Sequence, residues 1–152
     1  MTISPIPEAG RRSEHARLAT ALQLILSEPA PGVRLISVGG VLGPDGSARL
    51  FRLLDSQLQL NNSGRRRLDI VLCDVSSLRA LEDAGAVALA DARHACRRRG
   101  IDFALTGGSG GLFSAPLPTR SRLRGLAIFP TVDTALDALA GTERGQSATI
   151  HK

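Results

Sequence analysis

Three acidic side chains, Asp74, Glu82 and Asp83, lie close together near the middle of the chain. Neighbouring carboxylates can act as general acid and base, or they can hold a metal ion together with further ligands. Both kinds of chemistry need additional groups, and no histidine, cysteine or lysine is placed to act with these carboxylates as a nucleophile, base or ligand. We therefore expect no catalytic residues, no metal, no cofactor and no enzyme activity.

The two cysteines, Cys73 and Cys96, form no CxxC pair and have no nearby pair of histidines. A structural zinc site needs about four ligands in close groups, so the sequence excludes zinc. In a reducing cytosol we expect two small buried side chains, with Cys73 at the end of a strand and Cys96 on a helix. A redox switch between them is the alternative, since a strand and the helix that follows it can be adjacent.

A glycine-rich stretch from Gly107 to Gly111 follows a predicted strand. Such a loop can cradle phosphate groups in a nest of backbone amides. This one lacks the Gly-Lys-Ser/Thr ending of a P-loop and the GxGxxG order of a dinucleotide site. The favoured interpretation is a flexible connection to the next element, and nucleotide binding is the alternative.

Arginine supplies almost all of the positive charge, with 19 basic and 14 acidic residues and a net charge of +5. The arginines form clusters at 65–67, at 97–99 and at Arg120, Arg122 and Arg124. Such clusters can bind the phosphates of nucleic acid or an acidic protein surface. The chain has no Tyr and no Trp to stack on bases, and cations also suit the carboxyl ends of helices. We therefore favour solvated helix ends and connections over nucleic-acid binding.

Length and composition fit one compact domain. The chain has 152 residues, of which 43% are hydrophobic and 22% are charged, enough for one core and short for two. No apolar run is long enough to span a membrane, and no basic segment followed by an apolar stretch indicates a secretory signal. We expect a cytoplasmic protein with a domain at 18–140 between disordered tails at 1–17 and 141–152.

Apolar periodicity predicts an α/β fold in which strands and helices alternate. Residues 18–27 fit either a helix or a strand, and the turn at 29–32 before a β-branched run favours a strand. The later predicted elements are a strand at 33–38, a helix that starts after an N-cap at Ser47, a strand at 68–73, a helix at 84–99, strands at 101–105 and 127–129, and a last helix at 132–139. Crossover helices between strands indicate a mixed β-sheet with helices packed against it.

The segment at 68–89 resembles the signature of the STAS domain family, which is named for sulphate transporters and anti-sigma factor antagonists. Within it, residues 74–76 are similar to a strand end of the form Asp, hydrophobic, Ser, and residues 81–85 are similar to hydrophobic, Asp, Ser, Ser or Thr, Gly. Residues 40–43 resemble a second motif, Gly-Glu-Leu-Asp, and residues 124–136 resemble the closing strand and helix of the family. The resemblance covers most of the chain and implies a single STAS-like α/β domain.

In regulatory members of that family, the position before the glycine is typically a serine or threonine that a partner kinase phosphorylates. Ala84 stands at this position and has no hydroxyl group to accept a phosphate. Nearby, Glu82 replaces an aspartate and Asp83 a serine, while Val41 and Gly43 replace the two carboxylates of the second motif. The resemblance therefore implies binding without the usual phosphorylation switch.

The implied function is that of an anti-sigma factor antagonist, which binds an anti-sigma factor with a kinase fold and frees a sigma factor for transcription in a stress response. The partner-binding surface is expected at the start of the helix at 84–99 and in the loop from Gly40 to Asp45. The expected contact residues are Gly40, Val41, Gly43, Asp45, Ser76, Ser77, Glu82, Asp83, Ala84 and Gly85. Asp83 is expected to be the helix N-cap rather than a partial mimic of phosphate, and the two serines are expected to have turn roles.

Two other functions stay open. In the first, the domain is a scaffold component of a regulatory complex and assembles with copies of itself or with other STAS domains. In the second, it senses a nucleotide or another small ligand through Gly107 to Gly111 and nearby arginines. Neither alternative involves a membrane.

Because Ala84 has no hydroxyl group, we expect that incubation with a partner kinase and ATP leaves this helix start without phosphate. The measurement is mass spectrometry of peptides that cover 68–99, together with partner binding before and after the treatment. Phosphate on Ser76 or Ser77 that abolishes partner binding would contradict the prediction.

Overall fold

A computed structural model describes residues 22–108 and 110–139. The described part forms one six-stranded mixed β-sheet with helices on its faces. The strands are β1 at Gln23–Ser27, β2 at Val33–Leu42, β3 at Ile70–Asp74, β4 at Leu78–Leu81, β5 at Asp102–Thr106 and β6 at Ala127–Phe129. The helices are α1 at Pro44–Asn62, α2 at Asp83–Arg97, α3 at Gly110–Phe113, α4 at Leu117–Ser121 and α5 at 132–139. The predicted α/β class and mixed sheet are confirmed.

The sheet combines one antiparallel hairpin with a parallel series. Its order is β1-β2-β3-β5-β6, and β4 pairs with the far end of β2. Only β1 runs antiparallel to its neighbour, as the predicted turn at 29–32 requires. The predicted strand at 18–27 is therefore present as β1, and its first four residues lie outside the described part. The predicted tails at 1–17 and 141–152 also lie outside it, so these boundaries stay predictions.

Strand β3 is the centre of the sheet and is covered on both faces. The side chains of Val71 and Cys73 point into a core with α1 and α2, while those of Ile70 and Leu72 face a second core with α5. A strand that is buried on both faces consists of apolar residues without alternation, which is the pattern that predicted it. The observed strand is displaced by one or two residues from the predicted 68–73, because Asp74 is still paired with Thr106 of β5.

Strand β2 is longer than predicted, and this corrects the assignment of a loop from Gly40 to Asp45. Gly40 and Val41 are strand residues, because they pair in parallel with Leu78 and Ala80 of β4. A bulge between Gly40 and Val41 permits the change of partner strand, and Gly40 has a φ of 86°, which glycine adopts without strain. Strand β4 was not predicted, since the sequence indicates no strand between 73 and 101.

Both predicted N-caps are wrong: that of α1 is displaced by four residues, from Ser47 to Gly43, and that of α2 by one, from Asp83 to Glu82. Helix α1 begins at Pro44 after an N-cap at Gly43, and proline is favoured at the first helical position because its missing N–H has no partner there anyway. Ser47 lies inside the helix instead. Helix α2 begins at Asp83 after an N-cap at Glu82, so Asp83 is the first helical residue rather than the cap.

Small residues let α2 lie close to the sheet, although its buried face is rotated from the predicted one. Ala88 and Ala92 are buried as expected, whereas Ala84 and Ala95 are only partly buried. The residues that α2 buries are Gly85, Ala86, Ala88, Leu89, Ala92 and Cys96, at spacings of one, two, one, three and four. They pack against the buried leucines of α1, which close the larger core.

The tightest approach between helix and sheet is at Gly85. A Cβ atom on this residue would overlap the carbonyl oxygen of Leu42 and would lie 2.8 Å from the Leu42 Cγ atom. Because the obstructing atom belongs to the backbone at the end of β2, it cannot rotate away. Only glycine fits this position, and the glycine of the segment at 81–85 therefore has a packing role.

We expect the Gly85→Ala substitution to lower the free energy of unfolding by about 1–3 kcal/mol, because it overpacks the contact between α2 and β2. The measurement is urea unfolding followed by circular dichroism. Gly39→Ala is the matched control, since a Cβ there meets its nearest neighbours at 3.6 Å, an ordinary contact distance. Equal stability of the two variants would contradict this account of Gly85.

Candidate functional site

The expected partner-binding surface forms where β2, β4 and α2 meet. Leu42 of β2 pairs with Leu81 of β4, and the backbone N–H of Glu82 donates a hydrogen bond of 3.0 Å to the Leu42 carbonyl. The end of one strand thus holds the first turn of α2 in place. Glu82 and Asp83 are exposed there, and Gly85 beneath them is buried.

Ala84 lies in this first turn, half-buried, with its backbone held by α1. The Ser47 hydroxyl is 3.2 Å from the Ala84 carbonyl oxygen and 2.6 Å from the Gly43 carbonyl oxygen, so it bridges the two helix starts. A helix start favours a phosphate because its backbone amides are free and its dipole is positive there. The side chain of Ala84 is a methyl group and has no hydroxyl that could accept a phosphate.

Two departures from the family pattern are in contact with each other. A Cβ atom at Gly43 would lie 2.8 Å from the Glu82 Oε1 atom and 2.9 Å from its Cδ atom. The longer side chain of Glu82 therefore occupies space that a side chain at position 43 would need. One carboxylate at Glu82 stands where the family pattern has two, at 43 and at 82.

An open pocket of about 330 Å³ lies beside this carboxylate. Its lining residues are Leu22, Val41, Gly43, Pro44, Asp45, Gly46, Arg49 and Glu82. Asp45 is exposed, Val41 is half-buried, and Arg49 donates a hydrogen bond to the Leu22 carbonyl. Six of the ten expected contact residues therefore lie on or beside one surface, and Gly85 is buried under it. The six are Val41, Gly43, Asp45, Glu82, Asp83 and Ala84.

The other three expected residues are farther away. Ser76 and Ser77 are exposed in the turn between β3 and β4, where Gly40 donates a backbone hydrogen bond to the Ser77 carbonyl. The Asp74 carboxylate accepts a hydrogen bond of 3.0 Å from the Ser76 N–H, which is a turn role. The four residues of β4 separate this turn from the start of α2 by roughly 13 Å. The two serines therefore lie at the opposite end of β4 from Ala84.

Sequence reasoning missed an ion pair at the edge of this surface. Arg122, at the C-terminal end of α4, donates a hydrogen bond of 2.5 Å to the Asp83 carboxylate. Both side chains are about half exposed, so the pair contributes at most about 1 kcal/mol. Its effect is local: it neutralises the charge of Asp83 and connects α4 to the start of α2. No local pattern indicates a pair that is 39 residues apart.

The glycine-rich stretch has a packing explanation. The N–H of Gly107 already donates to the Phe129 carbonyl, and a Cβ there would lie 2.7 Å from the Asp74 Oδ1 atom. A Cβ at Gly111 would overlap the Leu78 carbonyl oxygen of β4. Helix α3 begins at Gly110, within this stretch, so the stretch is not wholly a flexible connection. Gly107 and Gly111 thus permit close contacts with neighbouring side-chain and backbone atoms.

Both cysteines are free thiols in the larger core. Burial raises the pKa of the Cys73 thiol far above its ordinary value of 9.0, and the neighbouring Cys96 and Asp74 add to this shift. Burial also raises the pKa of Cys96 to about 12, against a smaller opposing effect of Arg99. A thiol that does not ionise is a poor nucleophile, so burial lowers the reactivity of both cysteines in the folded protein.

The described residues contain no group of three or more His, Cys, Asp or Glu side chains placed to hold a metal ion. The described helices also include none with both the length and the apolar composition needed to cross a membrane.

The fold defined by this sheet order and this helix start is the STAS fold, and solved structures of both groups that give the fold its name are similar to it. An anti-sigma factor antagonist from Mycobacterium paratuberculosis has a TM-score of 0.60 and 16% identity, over 78% of this chain and 94% of the other. SpoIIAA, an anti-sigma factor antagonist in its unphosphorylated form, has a TM-score of 0.61 and 12% identity, over 78% of this chain and 97% of the other. A sulfate transporter family protein from Wolinella succinogenes has a TM-score of 0.53 and 18% identity, over 74% of this chain and 88% of the other.

At these identities the similarity establishes the fold alone. No protein-family model matches the sequence, and no curated protein matches it. The fold expected from the segment at 68–89 is confirmed.

The raised thiol pKa values predict a loss of stability at alkaline pH. Thiols of the unfolded chain ionise above about pH 9 while those of the folded protein stay protonated, so the free energy of unfolding falls as the pH rises from 9.0 towards 12. The slope is about 1.4 kcal/mol per pH unit for each thiol. The chain has no tyrosine and a single lysine, and arginine does not titrate in this range, so few other groups contribute.

Urea unfolding at several values above and below pH 9 measures this slope. The variant with Cys73→Ala and Cys96→Ala should be less stable at neutral pH and should show little change on further alkalinisation. A slope that is the same in this variant and in the original protein would show that the thiols are not its cause.

Proposed function

We propose that this protein is a cytoplasmic anti-sigma factor antagonist: it binds an anti-sigma factor by protein–protein contact and thereby frees a sigma factor, without phosphorylation at the position of Ala84. The observation that carries the proposal is the exposed start of α2, where Glu82, Asp83 and Ala84 project from a turn that Leu42 and Gly85 hold rigidly. A surface that is preorganised in this way loses little conformational entropy when a partner binds.

The fold supports this function over an enzymatic one. Two of the similar solved structures are anti-sigma factor antagonists, and one of them is specified as the unphosphorylated form. A rigid exposed helix start with carboxylates at its rim is suited to contact with another protein.

The charge of the surface indicates what the partner presents. Arg122 neutralises Asp83, whereas Glu82 and Asp45 take part in none of the ion pairs found among the described residues. These two carboxylates are therefore available to a basic surface on the partner. Binding by mass action then removes the anti-sigma factor from its sigma factor.

The missing hydroxyl group at Ala84 changes regulation rather than binding. In the ordinary switch, a phosphate at this helix start adds a charge of about −1.5 to −2, which can expel a closely packed partner. Ala84 offers no such group, and Asp83 contributes a smaller charge that Arg122 already pairs. The concentration of the protein, rather than its modification at this position, then sets the amount of anti-sigma factor that is bound.

We expect Glu82→Lys combined with Asp45→Lys to weaken binding of the anti-sigma factor about tenfold or more, because like charges replace complementary ones. The partner is first recovered from host lysate on immobilised protein, identified by mass spectrometry, purified, and titrated by calorimetry. Asp91→Lys is the matched control, since Asp91 is exposed on α2, eight residues beyond the start of the helix.

Recovery of an anti-sigma kinase whose binding depends on Glu82 and Asp45 would support the proposal. Recovery of STAS-type proteins alone, with homotypic assembly in size-exclusion chromatography, would contradict it and would favour the scaffold function. Equal binding by the double variant and by Asp91→Lys would also contradict the assignment of the surface.

A further inference from the structure

A second surface, formed by α3, α4 and β6, exposes large apolar side chains. Six such side chains are exposed in the described part of the chain, and three of them lie here. Phe113 is 56% exposed, Leu117 is 70% exposed and Ile128 is 41% exposed. Scattered exposed apolar residues need no explanation, but a group of them on adjoining elements marks an interaction site.

Two of these side chains, Phe113 and Ile128, line a groove of about 210 Å³, which we call the α4 groove. Its lining residues are Leu112, Phe113, Arg120, Leu123, Arg124 and Ile128. Leu112 and Leu123 are buried and belong to the larger core, so they form a floor that the fold holds in place.

The two apolar walls of the α4 groove meet over Gly108. A Cβ atom at Gly108 would lie 3.1 Å from the Phe113 Cζ atom and 3.2 Å from the Ile128 Cγ2 atom. Phe113 and Ile128 therefore both pack against the side of Gly108 to which a side chain would project. Leu117 extends the apolar surface, because it lies three residues before Arg120 on α4 and shares its helix face.

The rim of the α4 groove is positively charged. Arg120 and Arg124 are exposed, and neither belongs to an ion pair found among the described residues. Their neighbour Arg122 is already paired with Asp83. The two remaining guanidinium groups can each bind a carboxylate through two parallel hydrogen bonds.

We propose that the α4 groove is a docking site for an acidic amphipathic peptide segment of a partner protein. One or two large apolar side chains of that segment occupy the space between Phe113 and Ile128, and flanking Asp or Glu residues pair with Arg120 and Arg124. This site is separate from the surface at the start of α2, and it does not depend on the function proposed above.

Size and shape distinguish a peptide from other occupants. The volume is smaller than the roughly 300–1,000 Å³ of sites that hold whole small molecules, and it suits an anchoring side chain. The apolar atoms of Phe113 and Ile128 line a concave surface, whereas a membrane-binding surface projects its apolar residues outwards beside many basic ones. The apolar side chain of such a segment fits the cavity, and its acidic side chains match the positive charges of Arg120 and Arg124.

The test is selection of a random peptide display library on the immobilised full chain, followed by fluorescence anisotropy of the enriched peptides. We expect enriched peptides to combine Asp or Glu with Leu, Ile or Phe, and their affinity to fall with added salt. Two variants, Phe113→Ser and Arg120→Glu with Arg124→Glu, should each weaken binding about tenfold or more. Ile128→Thr, which keeps a β-branched residue in β6, provides a further apolar variant should Phe113→Ser fail to fold.

Two control variants separate this proposal from the preceding one. Arg98→Glu makes the same charge reversal at the opposite end of α2, and Glu82→Lys alters the other surface. Neither should change the affinity of the selected peptides. Circular dichroism and urea unfolding of every variant establish that each is folded.

Three results would overturn the proposal. The first is the absence of any enriched peptide, and the second is enrichment of peptides without carboxylates or with affinities that the groove variants do not change. The third is binding to phosphatidylglycerol vesicles that depends on Phe113 and Arg124 in the absence of peptide binding, which would assign the α4 groove to a membrane surface.

Discussion

The contact between Gly85 and the carbonyl group of Leu42 sets the position of α2, and much of the structure depends on that position. No other residue permits the helix to come this close to the end of β2. The hydrogen bond from the Glu82 N–H to the same carbonyl prevents the first turn from moving away. Helix α2 is thereby pressed against the sheet and against α1, where it closes the larger core.

The same contact decides which side chains the protein shows to its surroundings. Gly85 is buried, whereas Glu82 and Asp83 before it are exposed and Ala84 is half-buried. Glu82 extends into the space left by the absence of a side chain at Gly43. Glu82 and the exposed Asp45 line the same pocket and give this surface two carboxylates.

The ion pair between Asp83 and Arg122 joins this surface to the α4 groove without making them one site. It removes one negative charge from the start of α2 and one positive charge from the arginine cluster after α4. The charged side chains that remain are Glu82 and Asp45 on the surface at the start of α2, and Arg120 and Arg124 at the α4 groove. Opposite charges on two neighbouring surfaces favour two different partner segments, since one uniformly charged segment would be repelled by one of the surfaces.

Elements whose signal is local could be predicted from the amino-acid sequence. Strand β3 is continuous and apolar, the proline-glycine turn after β1 requires a hairpin, and the spacing of small residues in α2 matches a helix. The segment at 68–89 also carried enough of the STAS pattern to predict the fold, while the assignment of Ala84 to the phosphate-accepting position stays a prediction. Each of these features depends on residues that are close together in the chain.

Features that depend on distant partners could not be predicted, because those partners meet only in the folded chain. Strand β4 exists because β2 extends beyond β3 and offers it an edge, and the four residues of β4 carry no strong strand pattern of their own. The N-caps are Gly43 and Glu82 instead of the predicted Ser47 and Asp83, because each helix begins directly after the end of a strand. The ion pair between Asp83 and Arg122 joins residues that are 39 positions apart, and the α4 groove combines side chains from α3, α4 and β6. Periodicity and propensity do not show which charges or apolar side chains will meet in this way.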